Sequence, residues 1–574
     1  MLDKSAVAKA LREMGVLLEL KGENPFKVRA YETGARALEE SPEDLGKLVA
    51  EKRLREIRGI GEALAQKIAD LHLTGRTALL DKLHAEMPPG ILELTRIPDL
   101  GPKKIAALNQ ALGVGSVADL KAACIAGRVR ELKGFGERTE QKILEGIRRL
   151  ESREKRTLLS DALEAGEALL RHVRASPAAA RADLAGSLRR WKETVGDIDL
   201  VAASDRPEEL SAHVRAYPLV EEVLARGDTK TTVRLAGGLQ SDFRVVPPAD
   251  YATLLHHLSG SKAHHVRLRG LARDRGLTLS EWGLARIDDG SKLPVAEEAD
   301  IYRALSMQYV PPELREDQGE VEAALAGTLP EDLVRMEDVR GMVHCHTTHS
   351  DGHATVEEMA LAAEAMGMEY LTITDHSPSA AYAGGVTVDR LKAQWDEIAR
   401  VQEKVKVRLL RGTESDILED GALDYPDAIL EQMDVVIASI HSRMKMDEDS
   451  MTRRIARAMR LPVFKIWGHA SGRLLQERDA YACRVEEVLD AIAASRAAIE
   501  VNGDPHRLDL EPRWIRLARE RAIPFVVSTD AHSTAGLHNL RFAVATARRG
   551  WLRRAEVLNT LPLDAFRKAV RPAA

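Results

Sequence analysis

Asp197 and Asp199 stand at i and i+2 in Thr194-Val195-Gly196-Asp197-Ile198-Asp199-Leu200, inside the apolar run Val195 to Ala202. A strand alternates its faces, so this spacing predicts both carboxylates on one side, with Ile198 and Leu200 on the other. Two adjacent acids repel each other. A pair of hard divalent cations, with a phosphate chain as a further ligand, is the economical remedy. Just upstream, Ala185-Gly186-Ser187-Leu188-Arg189-Arg190 offers backbone N–H groups and a hydroxyl at Gly186 and Ser187, and a planar fork for phosphate oxygens at Arg190. Downstream, Leu239 to Val246 reads as another strand that would bring Asp242 in as a third acid. Taken alone, an Asp-x-Asp pair reads more readily as a solvated edge strand. The Gly-Ser-x-x-Arg before it and the acidic strand after it favour the catalytic reading.

A second chemistry is written into the carboxyl-terminal part. Histidines and acids recur at the ends of apolar runs: His344 and His346 with Asp351 beyond them, then Asp375-His376, Glu414, His441, His469, and Asp530-Ala531-His532. The runs alternate with helical stretches such as Glu357 to Met366 and Val485 to Ala494, which is a barrel pattern with functional groups gathered at the strands' carboxyl ends. Imidazoles and carboxylates converging on one rim suit Zn, Mn or Fe rather than Mg alone. Cys345 alternates away from its histidine neighbours and reads as core. His349 and His353 read as solvent-facing.

These sites need several domains to hold them. The chain has 574 residues, enough for three or four compact units, and 44% hydrophobic with 30% charged residues fits a soluble globular protein. No apolar run reaches spanning length, and Met1-Leu2-Asp3-Lys4 lacks a signal-peptide core, so no membrane is expected. Three scattered cysteines, Cys124, Cys345 and Cys483, suggest a reducing cytoplasm. The formal net charge of -6 means that nucleic-acid binding would rest on local contacts.

Such contacts are foreshadowed near the amino terminus. Ile57-Arg58-Gly59-Ile60-Gly61 leads into a helical pattern, Ile97-Pro98-Asp99-Leu100-Gly101 leads into a second, and Leu132-Lys133-Gly134-Phe135-Gly136 into a third. Glycines allow a tight hairpin, and the following helix opens with N–H groups that can hold a DNA phosphate without reading a base. Asp99 in place of the first glycine makes the second hairpin the least regular. Taken singly, each hairpin has an ordinary packing corner as its less favoured alternative.

The Gly-Ser-x-x-Arg and Asp-x-Asp stretch resembles family X DNA polymerases, whose palm has the nucleotidyltransferase fold. The resemblance implies catalysis through metal-binding Asp197, Asp199 and Asp242. It implies nucleotide contacts from Gly186, Ser187, Arg190 and Gly196, and from Ser259, Gly260, Lys262 and His265 in Leu258-Ser259-Gly260-Ser261-Lys262-Ala263-His264-His265. His257 and Leu258 would flank the sugar. DNA contacts are implied for Gly59, Gly61, Gly101, Gly134, Gly136, Lys67 and Arg269. Lys67 matches the Schiff-base lysine of that family's lyase domain, but Ala63 replaces a basic phosphate ligand, so weak or absent lyase activity is expected.

The carboxyl-terminal set is similar to a PHP (polymerase and histidinol phosphatase) domain, a distorted seven-stranded barrel with a trinuclear metal site. Its implied ligands are His344, His346, Asp351, His376, Glu414, His441, His469, Asp530 and His532. His469 lies in Gly-His-Ala-Ser-Gly-Arg rather than the family's Ala-His-Pro.

The resulting expectation is a multidomain chain. Residues 1–80 are a lyase-like helical domain with a hairpin, 81–156 a helix-hairpin-helix fingers region, 157–250 an α+β palm, 251–318 a thumb, 319–335 a linker, and 336–574 an α/β (β/α)7 PHP barrel. By resemblance it is a bacterial, nucleoid-associated, monomeric polymerase using dNTPs and gapped or primer-template DNA, with Mg2+ or Mn2+ in the palm. Up to three divalent metals (Mn2+ or Zn2+) in the barrel would support 3'-to-5' exonuclease, and AP endonuclease or 3'-phosphatase activity. The competing readings are an untemplated nucleotidyltransferase fused to a small-molecule phosphoesterase, and a DNA-binding scaffold with inactive sites.

Overall fold

The computed structural model describes residues 4–40, 45–57, 59–97, 100–154 and 156–570. Two compact units are distinguished, one of residues 1–155 with 381–384 and one built from 156–380 and 385–574.

The first unit is wholly helical among its described residues. Its core is built mainly of leucines and isoleucines, including Leu11, Ile68, Leu94, Ile105, Leu108 and Ile147, with Met14 among them. Gly61 and Gly101 cap the helices Glu62–Thr74 and Pro102–Leu112 in extended conformation and offer no side-chain acceptor, so the first-turn N–H groups stay uncapped. Each of these two hairpins is entered from a short 3-10 turn, Leu54–Glu56 or Glu93–Arg96, rather than from a full helix. Gly59 and Gly134 take positive φ (101° and 90°), as tight hairpins require. The irregular Asp99 lies outside the described residues.

In the second unit, the palm is a five-stranded sheet ordered Arg181–Leu184, Ile198–Ala203, Gln240–Val246, Lys230–Leu235, Val220–Arg226. The central pair is parallel and in register, with Asp199 opposite Asp242. One expectation is corrected: Val195 to Ala202 is not one strand. Val195 pairs with Thr157 in a separate ladder, and Gly196 and Asp197 form the break before Ile198. Asp197 therefore reaches its neighbour from the strand's mouth rather than along a pleat.

The thumb packs helices Tyr251–Ser259 and Lys262–Asp274 on a hairpin, Leu277–Ser280 with Gly283–Arg286. Residues 319–335 are not a linker. They contain the helix Glu320–Ala326, whose Val321 and Ala324 join Leu329 and Leu333 in the same core as Leu268 and Leu284. Its apolar spacing was hidden by the charged run around it.

Palm and thumb are joined through buried charge. Arg189 grips Glu298 with both ends of its fork (3.0 and 2.6 Å), and the fully buried Arg315 donates to the same carboxylate at 2.6 Å. Burial opposes ionisation of Glu298, but Arg315 and Arg189 outweigh it and hold its pKa at about 2, against an ordinary 4.5. A depressed acid stabilises fully above its unfolded pKa, and that contribution is lost as pH falls from about 4.5 toward about 2. Glu298→Gln is expected to cost about 3 kcal/mol at neutral pH, because the buried guanidinium of Arg315 and the partly buried one of Arg189 lose their charged partner. Thermal unfolding against pH checks this: the gap between variant and wild type should close below pH 4.5.

The last seven strands, Gly341–Met342 through Phe525–Ser528, are parallel and follow chain order. A parallel bridge between Cys345 and Ala531, with His346 N–H donating to the Ala531 carbonyl at 2.8 Å, nearly closes them into a barrel. Val343, Leu410, Ile437 and Ile466 fill one layer, and the helix Leu563–Val570 packs on it by stacking Phe566 on Tyr370. Cys345 is buried in the core, as expected. The palm rests directly on the barrel: Phe542 and Leu508 of the barrel enter the palm core, and Glu193 pairs with Arg549 at 3.2 Å.

Candidate functional site

Two constellations stand out, one in each half of the second unit. In the palm, ligand oxygens of Asp197, Asp199 and Asp242 lie within 4.8 Å of one another. Burial, then Asp197 and Asp242, push the pKa of Asp199 up to about 7. Burial and Asp242 raise that of Asp197 as well. Asp242 is held lower, since bonds from Lys230 (2.6 Å) and Thr232 (2.8 Å) outweigh its burial. A trio in which one acid resists ionising fits a bound divalent cation.

Gly186 closes this site. It sits at φ +62°, and a Cβ there would lie 2.0 Å from Asp199 Oδ2. Only glycine permits both the left-handed backbone and the approach. Gly186→Ala is expected to lower nucleotide addition about 10²-fold, the effect of an ångström-scale displacement of a reacting group. Single-turnover addition, with thermal unfolding as the folding control, measures it.

The structure redistributes several expected phosphate contacts. Arg190 does not face open space: its Nε donates to Glu316 at 2.8 Å and its Nη1 to the Ser259 carbonyl at 3.2 Å. Ser259 is buried, its hydroxyl accepting from Arg189 at 2.7 Å. His265 is buried too, stacked on His257 (5.3 Å between centroids), and its Nε2 crowds Gly260, where a Cβ would lie at 2.6 Å. Gly196 is exposed beside Asp197, and Lys262 lines a separate thumb groove with Val266, Asp274 and Leu325. Arg269 reaches His257 Nδ1 at 3.3 Å. Lys67, in the first unit, donates to the Ala63 carbonyl at 2.9 Å.

In the barrel, all nine expected residues converge. His344, His346, Glu414 and Asp530 form one group, His346, Asp351, His376 and His532 a second, and His376, Glu414 and His441 a third. His469 completes the set, its Nε2 2.7 Å from Glu414 Oε1. Most follow directly on the carboxyl ends of strands, while Glu414 lies within Arg408–Asp416. Asp530 and His469 adopt positive φ (51° and 25°), unusual for residues with side chains. Gly352 lets the Asp351 loop close, since a Cβ there would meet the His346 carbonyl carbon at 2.5 Å.

Buried His344 Nε2, both ring nitrogens of His346, and Glu414 Oε2 have no hydrogen-bond partner among the described residues. Buried polar atoms are almost always paired, so these converging ones fit metal ligation. Burial opposes charging of His344, yet Glu500, Asp530 and Glu414 outweigh it and raise its pKa. Burial, His532 and His376 push His346 down to about 3.

Behind the ligands stand residues outside the expected ligand set, of which only Asp375 was visible in the motifs. Glu500 takes His344 Nδ1 at 2.5 Å, Ser528 Oγ at 2.6 Å and the His469 backbone N–H at 2.5 Å. Asp416 takes His441 Nδ1 at 2.5 Å. Asp375 receives Thr347, Ser350 and Gln394. Glu500 and Asp416 thereby orient imidazoles and fix their tautomers, while Asp375 ties down the loop that follows His346. The available signal was an acid inside an apolar strand, as in Ala497-Ala498-Ile499-Glu500-Val501. His349 pairs with Glu397 at 2.7 Å, and His353 is exposed.

Together, a nucleotidyltransferase palm with a carboxylate triad and a parallel barrel with an imidazole-carboxylate rim define a protein of two divalent-metal phosphoryl chemistries. Family models match it piecewise: a helix-hairpin-helix domain over residues 3–77, a SAM-like helix-hairpin-helix tandem over 91–149, a DNA polymerase beta thumb over 254–316 and a PHP domain over 343–504. It is 35% identical over 571 residues to the DNA polymerase/3'-5' exonuclease PolX of Bacillus subtilis (strain 168), spanning 98% of this chain and 99% of that one. The chain belongs to the family X DNA polymerases that carry a carboxyl-terminal PHP domain. A probable phosphatase of Thermoanaerobacter sp. (strain X514) is 29% identical over 230 residues, 38% of this chain and 89% of its own. A probable phosphatase of Caldanaerobacter subterraneus subsp. tengcongensis is 31% identical over 202 residues, 33% and 74% of the two chains. The PHP match stops at 504, so Asp530 and His532 join the site on geometry.

Proposed function

We propose that this chain is a template-directed DNA polymerase that fills short gaps during repair, and that its barrel is a 3'-to-5' exonuclease able to trim the end before it is extended. The observation that carries the reading is the register of Asp199 with Asp242, with Asp197 alongside and the Gly186-Ser187 turn against Asp199. The hard carboxylate trio suits Mg2+ or Mn2+, and the imidazole-rich rim suits Mn2+ or Zn2+. When bound, these ions lower the pKa of a primer hydroxyl or of water and draw charge from phosphate oxygens.

The chain's own groups do the rest. Asp197, Asp199 and Asp242 hold the ions and orient the 3' end of the primer, while Ser187 and the turn around it meet the triphosphate of a dNTP. Arg190 joins them by exchanging Glu316 for phosphate, which ties nucleotide arrival to a shift of the thumb. In the barrel, the nine ligands set the metal positions, and Glu500 and Asp416 keep the imidazole rings in place. The hairpin helices of the first unit hold DNA by its backbone. Lys67, bonded to Ala63, fits weak or absent lyase chemistry. A monomer in the bacterial cytoplasm, working at the nucleoid, accords with this role, as do AP endonuclease and 3'-phosphatase activities of the barrel. Among the described residues no helix is long and apolar enough to cross a membrane.

The test is addition on a one-nucleotide gap presented with each of the four templating bases in turn. The incorporated nucleotide should follow the template. Addition blind to the template would instead favour an untemplated nucleotidyltransferase.

A further inference from the structure

Arg507 lies beside the barrel's metal rim and belongs to none of the ligand groups. Its side chain is 17% exposed, yet Nε and Nη1 are buried and have no hydrogen-bond partner among the described residues. The nearest carboxylate oxygens are Asp530 Oδ2 at 3.5 Å and Asp504 Oδ2 at 3.9 Å, beyond hydrogen-bond reach. The fully buried Arg315, by contrast, donates from all three nitrogens, to the Val310 carbonyl, Glu298 and Tyr309; among the described residues Arg215 and Arg549 each leave one guanidinium nitrogen without a partner, and Arg507 leaves two.

The backbone that carries Arg507 is firmly held. Arg473 Nε donates to the Arg507 carbonyl at 2.9 Å, Arg507 N–H donates to the Asp504 carbonyl at 2.8 Å, and Asp504 N–H donates to Asn502 Oδ1 at 2.8 Å. Asn502 in turn donates to Glu500 at 3.1 Å and to Asp530 at 3.3 Å. The backbone beneath a fork with open donors is therefore fixed next to a rim residue. Once a cation shares the charge of Asp530, the pull of that carboxylate on Arg507 weakens, and a planar fork of this kind matches two oxygens of a phosphate.

We propose that Arg507 is the phosphate clamp of the barrel site: it binds a non-bridging oxygen of the scissile phosphate at a DNA 3' end and orients that group toward the metal rim. The proposal rests on the phosphoesterase reading of the barrel and names the residue that would recognise its substrate.

Arg507→Lys and Arg507→Gln test it, the lysine variant guarding against misfolding of the glutamine one. Three quantities are read on manganese-loaded full-length protein: manganese per chain, affinity for inorganic phosphate by calorimetry, and kcat and KM for removal of a 3'-terminal nucleotide. Both variants should keep the wild-type metal content, bind phosphate at least about tenfold more weakly, and lose about 10²-fold in kcat/KM, the scale of one lost oxyanion donor. Unchanged phosphate affinity would overturn the clamp, and so would loss of manganese, which would make Arg507 a support for Asp530. If wild type binds phosphate through Arg507 but degrades no DNA, the clamp stands and the exonuclease reading fails.

Discussion

Asp199→Asn should abolish nucleotide addition, by about 10³-fold or more, while leaving the fold and DNA binding in place. Removing one preorganised electrostatic contact typically costs 10²–10³-fold, and Asp199 is the central member of its trio, flanked by Asp197 and Asp242. Asparagine keeps the volume against which Gly186 closes, so the loss would be of charge and not of shape. It also removes a carboxylate that burial and two neighbouring acids disfavour. The variant's thermal midpoint in chelator should therefore equal or exceed that of wild type, as is common where a site is built for function at the expense of stability. Single-turnover addition and fluorescence anisotropy on gapped DNA measure the two sides. Retained addition would remove the triad from the mechanism.

Glu414→Gln should do the same to the barrel. This carboxylate belongs to two of the three ligand groups. Oε1 lies 3.2 Å from His441 and 2.7 Å from His469, and Oε2 lies 3.0 Å from His376 and 3.5 Å from both His344 and His346. One isosteric change thus strips the shared negative charge from between five imidazoles. Removal of 3'-terminal nucleotides should fall by about 10³-fold or more, manganese per chain should drop, and gap filling should persist. Nuclease kinetics and metal analysis decide it; undiminished degradation would place that activity elsewhere.

Both sites were readable as residue types before any coordinates, for a physical reason. Metal ligands must be particular side chains at strand ends, and the strand–helix alternation from 341 onward put them there. The palm trio converges, and so do the nine rim residues that the PHP resemblance implied. What spacing could not show was competition among polar groups. Arg190 looks like a free fork in sequence, but Glu316, 126 residues away, occupies it. The 319–335 segment looked like a connector because Gly319 to Pro330 leads into the charged run Glu331 to Arg340. Glu320 is in fact fully buried and hydrogen-bonded to His264 at 2.6 Å, a pairing that only tertiary packing creates. Glu500 and Asp416 were overlooked likewise: they act through histidines rather than as part of a motif. Asp197 was placed on the right face for the wrong local reason, since Gly196 breaks the strand before it.

The most direct test gives two substrates to three proteins: a 5'-labelled, one-nucleotide-gapped duplex with a mismatched 3' end and its matched counterpart, in manganese, with dNTPs present or absent. Wild type should shorten the primer without dNTPs, and trim then extend it with them. Asp199→Asn should only shorten it, and Glu414→Gln should be unable to remove the mismatch yet extend a matched primer. A single substitution that silenced both trimming and extension would contradict two separate metal centres in one chain.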